Sequence, residues 1–316
     1  MLPSVLPRET ADHVPVLGEE LRRLCAVRPG ETVVDCTFGA GGHAALLAAD
    51  LVGRGRYIAI DRDPDVRVYF DAFKRGHPSL QSRLLRGEFS LVLEQLAAND
   101  FEADVVLMDL GLSSMQVDRP ERGFSYANDA PLDMRMDPSQ ELSAREIVNE
   151  WPERELAQAF RRYGEERYAK QIARAIVRAR PLERTAELVD AVRGAIPAPA
   201  RFGEGHPAKR VFQALRIAVN DELSALERAL PAALELLRPA GRLATIAFHS
   251  LEDRIAKRFM REAERGCTCP PDFPVCVCGH EPELRALSRK PIRPSQEELA
   301  QNPRAASARL RVAVKV

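Results

Sequence analysis

Short apolar runs alternate with helix-periodic stretches through the first third of the chain. Residues 32–36 form a strand-length β-rich run, followed by a glycine turn and a helical pattern over 44–51. Residues 56–60 form another, followed by a helical 65–75, and residues 104–110 repeat the strand signal. Strand signals separated by helical ones predict a parallel sheet with crossover helices. From about Arg119 to Phe212 the strand signal disappears. Apolar residues there recur at helical spacing, as in Ala169, Ile172, Ala173, Ile176 and Val177, which predicts a helical insertion. A long helical stretch from Val211 to about Leu237, bent at Pro231, then leads through Arg238-Pro239-Ala240-Gly241 into a strand over 242–248, where the sheet pattern resumes. The last nine residues alternate apolar and polar positions as an edge or terminal strand does, and the Pro-rich, basic chain from Cys269 to Pro303 reads as irregular. The expected architecture is α/β and Rossmann-like: a sheet domain of residues 1–118 and 214–316 interrupted by a helical insertion at 119–213.

Composition narrows the function classes. The chain has 316 residues, 45% apolar and 29% charged, which supports a sizeable core and exceeds what one core usually holds. Its 46 basic and 46 acidic side chains leave no net charge, so contact with a polyanion must use local basic patches. Apolar runs such as 244–248 and 105–108 are strand-sized and fall well short of the roughly 18 residues a membrane helix needs. Glu9 and Asp12 stand early, with no basic segment ahead of an apolar one, which argues against a secretory or transit segment. A soluble, cytoplasmic protein with no membrane partner is the expectation.

The run Val33-Val34-Asp35-Cys36-Thr37-Phe38-Gly39-Ala40-Gly41-Gly42-His43-Ala44 is a strand, a glycine turn and a helix start. Gly39, Gly41 and Gly42 let the backbone approach a ligand, and the helix start offers N–H groups. Asp61 ends the next strand about 20 residues on, where a carboxylate takes ribose hydroxyls. That pattern serves NAD and S-adenosylmethionine alike. Asp35, inside the first strand, would repel a pyrophosphate and suits a cationic amino-acid moiety, which favours S-adenosylmethionine. Asp109 ends the strand over 104–110, and ligands in open α/β sheets sit beyond the carboxyl ends of strands. Asp109 and the loop after it are therefore expected at the reacting methyl group.

These runs, together with residues 13–17, 60–64, 108–114, 121–125, 163–167 and 206–216, the segment Pro131-Leu132-Asp133-Met134-Arg135-Met136-Asp137-Pro138 and the segment Phe248-His249-Ser250-Leu251-Glu252-Asp253-Arg254, resemble the MraW-type, cytosine-N4 methyltransferase family of small-subunit ribosomal RNA. The likeness covers nearly the whole chain in order. It implies a Rossmann-like class I methyltransferase that moves a methyl group from S-adenosylmethionine to N4 of a cytosine in the decoding region of small-subunit (16S-type) rRNA, with the small ribosomal subunit as partner and the insertion reading the substrate. It also implies cofactor contacts at Gly41, Gly42, His43, Asp61, Phe89, Asp109 and Gln116. Gly41 and Gly42 permit close approach, His43 offers a donor at the helix start, and Phe89 suits the adenine ring.

Methylation of an amine needs acceptors for its N–H groups and in-line alignment, with no covalent intermediate. Enzymes that methylate exocyclic amines of DNA usually carry an acidic or polar residue, two prolines and an aromatic at the corresponding strand end. Asp109-Leu110-Gly111-Leu112 has neither proline nor aromatic. Asp109 or Ser113 and Ser114 are expected to accept from the amine, with Phe124, Tyr126 or Phe248 stacking on the base. His249 is a candidate to take the departing proton or to touch RNA, an ordinary strand-end histidine being the alternative.

For RNA phosphates three basic stretches are available: Arg167, Lys170, Arg174 and Arg178; Arg254, Lys257, Arg258, Arg261 and Arg265; and residues 285–316, with eight basic against two acidic side chains. Arg135, Lys209, Arg210 and Arg254 are the expected contacts. Cys25 and Cys36 read as core thiols. Cys267, Cys269, Cys276 and Cys278 form C-x-C-x6-C-x-C, which is either a structural zinc site or thiols of an irregular loop. A homodimer is compatible with the sequence. Two other functions share these features: an NAD-dependent oxidoreductase, disfavoured by Asp35, and a non-catalytic RNA-binding assembly factor, which would bind cofactor without turnover.

Overall fold

A computed structural model describes residues 15–201, 206–267, 269, 275 and 278–316. Seven strands form one sheet: β1 (Thr32–Asp35), β2 (Arg56–Asp61), β3 (Gln81–Arg86), β4 (Ala103–Asp109), β5 (Leu237–Ala247), β6 (Leu284–Ala286) and β7 (Arg309–Lys315), in the spatial order β3-β2-β1-β4-β5-β7-β6. The first five run parallel, and β7 lies antiparallel between β5 and β6. All four residues of β1 are buried, as is the Val105–Met108 centre of β4. Strands covered on both faces read as continuous apolar runs, which is why these two were plain in the sequence.

Helix α1 (Gly18–Cys25), which precedes β1, and the crossover helices α2 (Gly42–Leu51), α3 (Val66–Gly76) and α4 (Phe89–Ala97) belong to the sheet's half of the chain. Chain order runs outward from β1 to β2 and β3, then returns to β4 on the other side of β1. This reversal opens a crevice at the carboxyl ends of β1 and β4, the place where such sheets bind ligands. The order and the directions of the strands are those of a Rossmann-like class I methyltransferase sheet.

Between β4 and β5 come α5 (Ser114–Val117), α6 (Ala144–Glu150), α7 (Glu153–Gly164), α8 (Ala169–Ala179), α9 (Thr185–Ala195), α10 (Ala198–Arg201), α11 (Lys209–Asn220) and α12 (Glu222–Leu236); α13 (Ser250–Ala263) and α14 (Gln296–Gln301) follow β5 and β6. The chain divides into two compact units, one interrupted between Gly111 and Ala225, the other Leu112–Ser224. The helical unit has its own core, built on Leu132, Ile147, Phe160, Ile172, Leu188 and Leu215.

Four expectations shift. The insertion's borders move from 119 and 213 to 112 and 224, because α11 turns Val211, Phe212, Leu215 and Val219 into the helical core. The long helix breaks at Asp221, with φ +50°, rather than at Pro231, which lies inside α12. Asn220, the last residue of α11, is anchored at the break: its amide donates to the Met134 carbonyl and its oxygen accepts from the Met136 N–H, both at 2.8 Å. The terminal strand β7 is interior to the sheet, and residues 269–303 hold β6 and α14 rather than irregular chain alone. A strand at 81–86 that no apolar run announced completes the edge; none of its residues is fully buried.

Candidate functional site

The carboxylate of Asp35, at the end of β1, is 1% exposed. The Tyr57 hydroxyl donates to it at 2.8 Å and the Thr37 N–H at 3.1 Å. Burial outweighs these donors and pushes its pKa up to about 6. Beyond Asp35 the chain turns through Gly41, whose φ of +83° and whose Cβ position, 3.0 Å from the Phe38 ring, exclude a side chain. The turn is clamped to β2: Asp61 accepts from the Gly39 N–H through one oxygen and from the Asp63 N–H through the other, both at 2.9 Å. Burial raises Asp61 to about 6 as well, against those two donors.

Asp109 ends β4, and its N–H donates to Thr37 Oγ1 at 2.7 Å, locking the carboxyl ends of β1 and β4 together. Its Oδ2 lies 3.3 Å from Nδ1 of His43, in the first turn of α2. His43 is buried, and its Nε2 sits 2.9 Å from the Val16 carbonyl. A carbonyl only accepts, so Nε2 carries a proton, and Nδ1 needs a second one to face a carboxylate. Burial opposes that charge, but Asp109, by charge and hydrogen bond, and the Val16 carbonyl together hold the imidazole above its ordinary pKa. The other oxygen, Asp109 Oδ1, is buried and meets no donor among the described residues. The site thus presents an oriented carboxylate with one oxygen held and one unsatisfied.

Phe89 opens α4 and leans on the sheet core, partly buried. Glu88 caps that helix through the Ser90 N–H at 2.7 Å. Phe248, just after β5, is half-buried, and Gly111, at φ +94°, approaches it closely enough that a Cβ would stand 3.4 Å from its ring. His249 caps α13: its Nδ1 accepts from the Glu252 N–H at 3.4 Å, while Glu252 Oε2 accepts from the N–H groups of Phe248 and His249 at 2.8 and 3.2 Å.

Ser113, Ser114 and Gln116 fall in the helical unit. Ser113 Oγ is buried with no partner among the described residues, and its N–H donates to the Gln116 amide oxygen at 3.2 Å. The Ser114 side chain lies outside the described set. Phe124 is in the helical core, and Tyr126 stacks on His206 at 4.4 Å, so both rings already have neighbours.

Of the expected phosphate contacts, Lys209 and Arg254 are exposed, and Arg210 is exposed while donating to the Glu165 carbonyl at 3.1 Å. Arg135 is placed differently: Nε and Nη2 fork onto Asp133 at 2.9 and 2.7 Å and Nη1 donates to the Gln140 carbonyl at 2.7 Å. Its Nε, Nη1 and Nη2 thus each already have a partner within its own loop. Cys276 lies outside the described residues; Cys267, Cys269 and Cys278 are near one another on the surface.

Thr37, Tyr57 and the pairing of His43 with Asp109 escaped the sequence reading, since each depends on strand neighbours far apart in the chain. Glu252 carried a usable signal, the capping spacing of an acceptor followed three residues on by glutamate.

Three proteins named "Ribosomal RNA small subunit methyltransferase H" align with nearly the full chain. That of Heliobacterium modesticaldum is 53% identical over 312 residues, covering 96% of this chain and 98% of that protein. That of Heliobacterium mobile is 50% identical, covering 96% and 99%, and that of Symbiobacterium thermophilum 52%, covering 96% of both. A solved methyltransferase homolog from Pyrococcus horikoshii aligns at TM-score 0.44 and 12% identity, covering 100% of this chain and 72% of that one; the fold assignment rests on the sheet order instead. The model of the MraW methylase family matches residues 10–316, and the chain belongs to that family.

Proposed function

We propose that this chain transfers a methyl group from S-adenosylmethionine to N4 of a cytosine in the decoding region of small-subunit rRNA. The observation that carries the chemistry is Asp109 at the end of β4, held by His43 through Oδ2 and left without a donor at Oδ1 among the described residues. The relatives' shared name supports small-subunit rRNA as the substrate.

The residues present fit the cofactor. Three carboxylates, Asp35, Asp61 and Asp109, stand at neighbouring strand ends and favour a cationic ligand over a diphosphate. Gly41 leaves room for close approach, Asp61 suits ribose hydroxyls and Phe89 suits a flat base. When bound, S-adenosylmethionine supplies a methyl group on a cationic sulfur, open to in-line attack by the amine nitrogen.

The cytosine amine donates one N–H to Asp109 Oδ1, which fixes the orientation of the nitrogen. As the nitrogen gains its methyl group, the proton it must lose passes to Asp109 Oδ1. His43 keeps Oδ2 fixed throughout, so the accepting oxygen does not swing away. Phe248, half-buried with its ring against Gly111, stacks on the extruded base.

The test is methyl transfer from labelled S-adenosylmethionine to small subunits that lack the modification, with naked rRNA in parallel and nucleoside mass spectrometry of the product. N4-methylated cytidine at a decoding-region position is the expected product. Cofactor binding with no transfer to either substrate would overturn the reading in favour of an assembly factor.

A further inference from the structure

Methyl transfer uses none of the cysteines that crowd into residues 267–278. The Sγ atoms of Cys267, Cys269 and Cys278 all lie within 4.8 Å of one another, and those of Cys267 and Cys278 are 3.8 Å apart. A disulfide would hold two sulfurs at about 2.05 Å. Thiolates bound to one zinc at about 2.3 Å with tetrahedral angles stand about 3.8 Å apart. The Cys267–Cys278 distance is too long for a disulfide and matches two sulfurs sharing one ion as well as a thiol–thiol hydrogen bond, and Cys269 brings a third sulfur within 4.8 Å of both.

The surroundings agree. The Cys269 N–H points at Cys267 Sγ from 3.4 Å, a backbone donor of the kind that steadies thiolate charge in metal sites. The two legs of the loop are tied just outside the cysteines. The Glu283 N–H donates to the Ala263 carbonyl at 2.8 Å, and the Ala286 N–H to Glu264 Oε1 at 3.0 Å. The loop therefore leaves the end of α13 and returns to β6 through a fixed neck, with the thiols gathered beyond it.

We propose that Cys267, Cys269 and Cys278 hold a structural zinc ion that staples the loop between α13 and β6, with one coordination vertex left for a further donor. Thiolates select zinc among the common divalent ions. Because the ligands must be deprotonated, affinity rises with pH.

The full chain, purified without chelator and under reducing conditions, is expected to carry about one zinc per molecule by elemental analysis. The Cys267→Ser and Cys278→Ser variants are expected to lose most of it while keeping their circular dichroism spectrum. Cobalt added to the metal-free wild type is expected to give thiolate charge-transfer absorption and the strong visible bands of a tetrahedral site, a readout that needs no variant to fold. Three results would overturn the proposal: no zinc together with a featureless cobalt titration, full metal retention in both variants, or a Cys267–Cys278 disulfide under reducing conditions. None of these measurements uses S-adenosylmethionine or RNA, so their outcome is independent of the methyl-transfer reading.

Discussion

Two oxygens of one carboxylate stand in different settings at Asp109. Oδ2 pairs with His43, while Oδ1 is buried with no donor among the described residues, an arrangement that is unfavourable unless a ligand supplies the missing donor. Asp109→Asn is expected to lower the single-turnover rate about 10²- to 10³-fold while the circular dichroism spectrum stays that of the wild type. His43 acts through Asp109, so its test is a pH profile. The imidazole's pKa is raised, and the ion pair is present below that pKa and lost as pH climbs through it. The wild-type rate should therefore fall on the alkaline side, and His43→Gln should be slower at every pH and lack that limb. Asp35 carries a separate pH signature. Its pKa, raised to about 6 by burial, means that the fold prefers the protonated form. The stabilisation is complete below the unfolded carboxylate's pKa and is lost as pH rises through about 6. Relative to wild type, Asp35→Asn should gain about 2 kcal/mol of stability between about pH 4 and pH 7 and nothing further above that, measured by urea unfolding. The carboxylates were legible in the sequence because each ends a strand. The His43 partnership was not, because nothing local says which strand end the first turn of α2 will face.

At the scale of elements, α13 is joined to β7 by charge. Asp253 is 8% exposed and accepts from Arg311 Nε at 2.7 Å and Arg309 Nη1 at 3.0 Å. Burial works against its charge, yet the two guanidinium groups hold its pKa below the usual carboxylate range. Its contribution is present above the unfolded pKa and is lost as pH falls through the folded one. Asp253→Ala strands Arg311, itself 9% exposed, and should cost about 3 kcal/mol by urea unfolding at neutral pH. The loss should shrink toward acid, where wild-type Asp253 also loses its charge; a pH-independent loss would point to packing instead. Elements with burial on both faces, such as β1 and β4, were readable as apolar runs. The edge strand β3, Gln81-Ser82-Arg83-Leu84-Leu85-Arg86, was not, because half-exposed positions dilute its alternation. Nor was the break at Asp221, where Asn220 is held by the distant Met134 and Met136 backbone, a tertiary constraint that overrides local helix propensity.

Over the whole molecule the charges cancel, 46 against 46, so attraction to RNA is a matter of where the cations stand and whether their donors are spent. The alternation of strands and helices announced the sheet and the insertion, because that pattern is periodic and repeated. The borders at 112 and 224 were hidden, because α11 looks the same in sequence whichever core it joins. The same limit applies to single arginines: Arg135 and Lys209 were equal candidates on paper and differ in the fold. Lys209 stands exposed at the start of α11, whereas the Arg135 guanidinium is committed to Asp133 and Gln140. Each phosphate contact releases counterions and adds about 0.7 to 0.9 to the slope of log affinity against log salt. Lys209→Ala should therefore flatten that slope by about one unit, roughly evenly across RNA sequences. Arg135→Ala should leave the slope unchanged while lowering stability, because the Asp133 carboxylate, now held below its ordinary pKa by Arg135, loses its partner. Titrations of small-subunit RNA at several salt concentrations separate the two. An equal flattening in Arg135→Ala would mean that the fork to Asp133 opens when RNA binds and that Arg135 then turns to a phosphate.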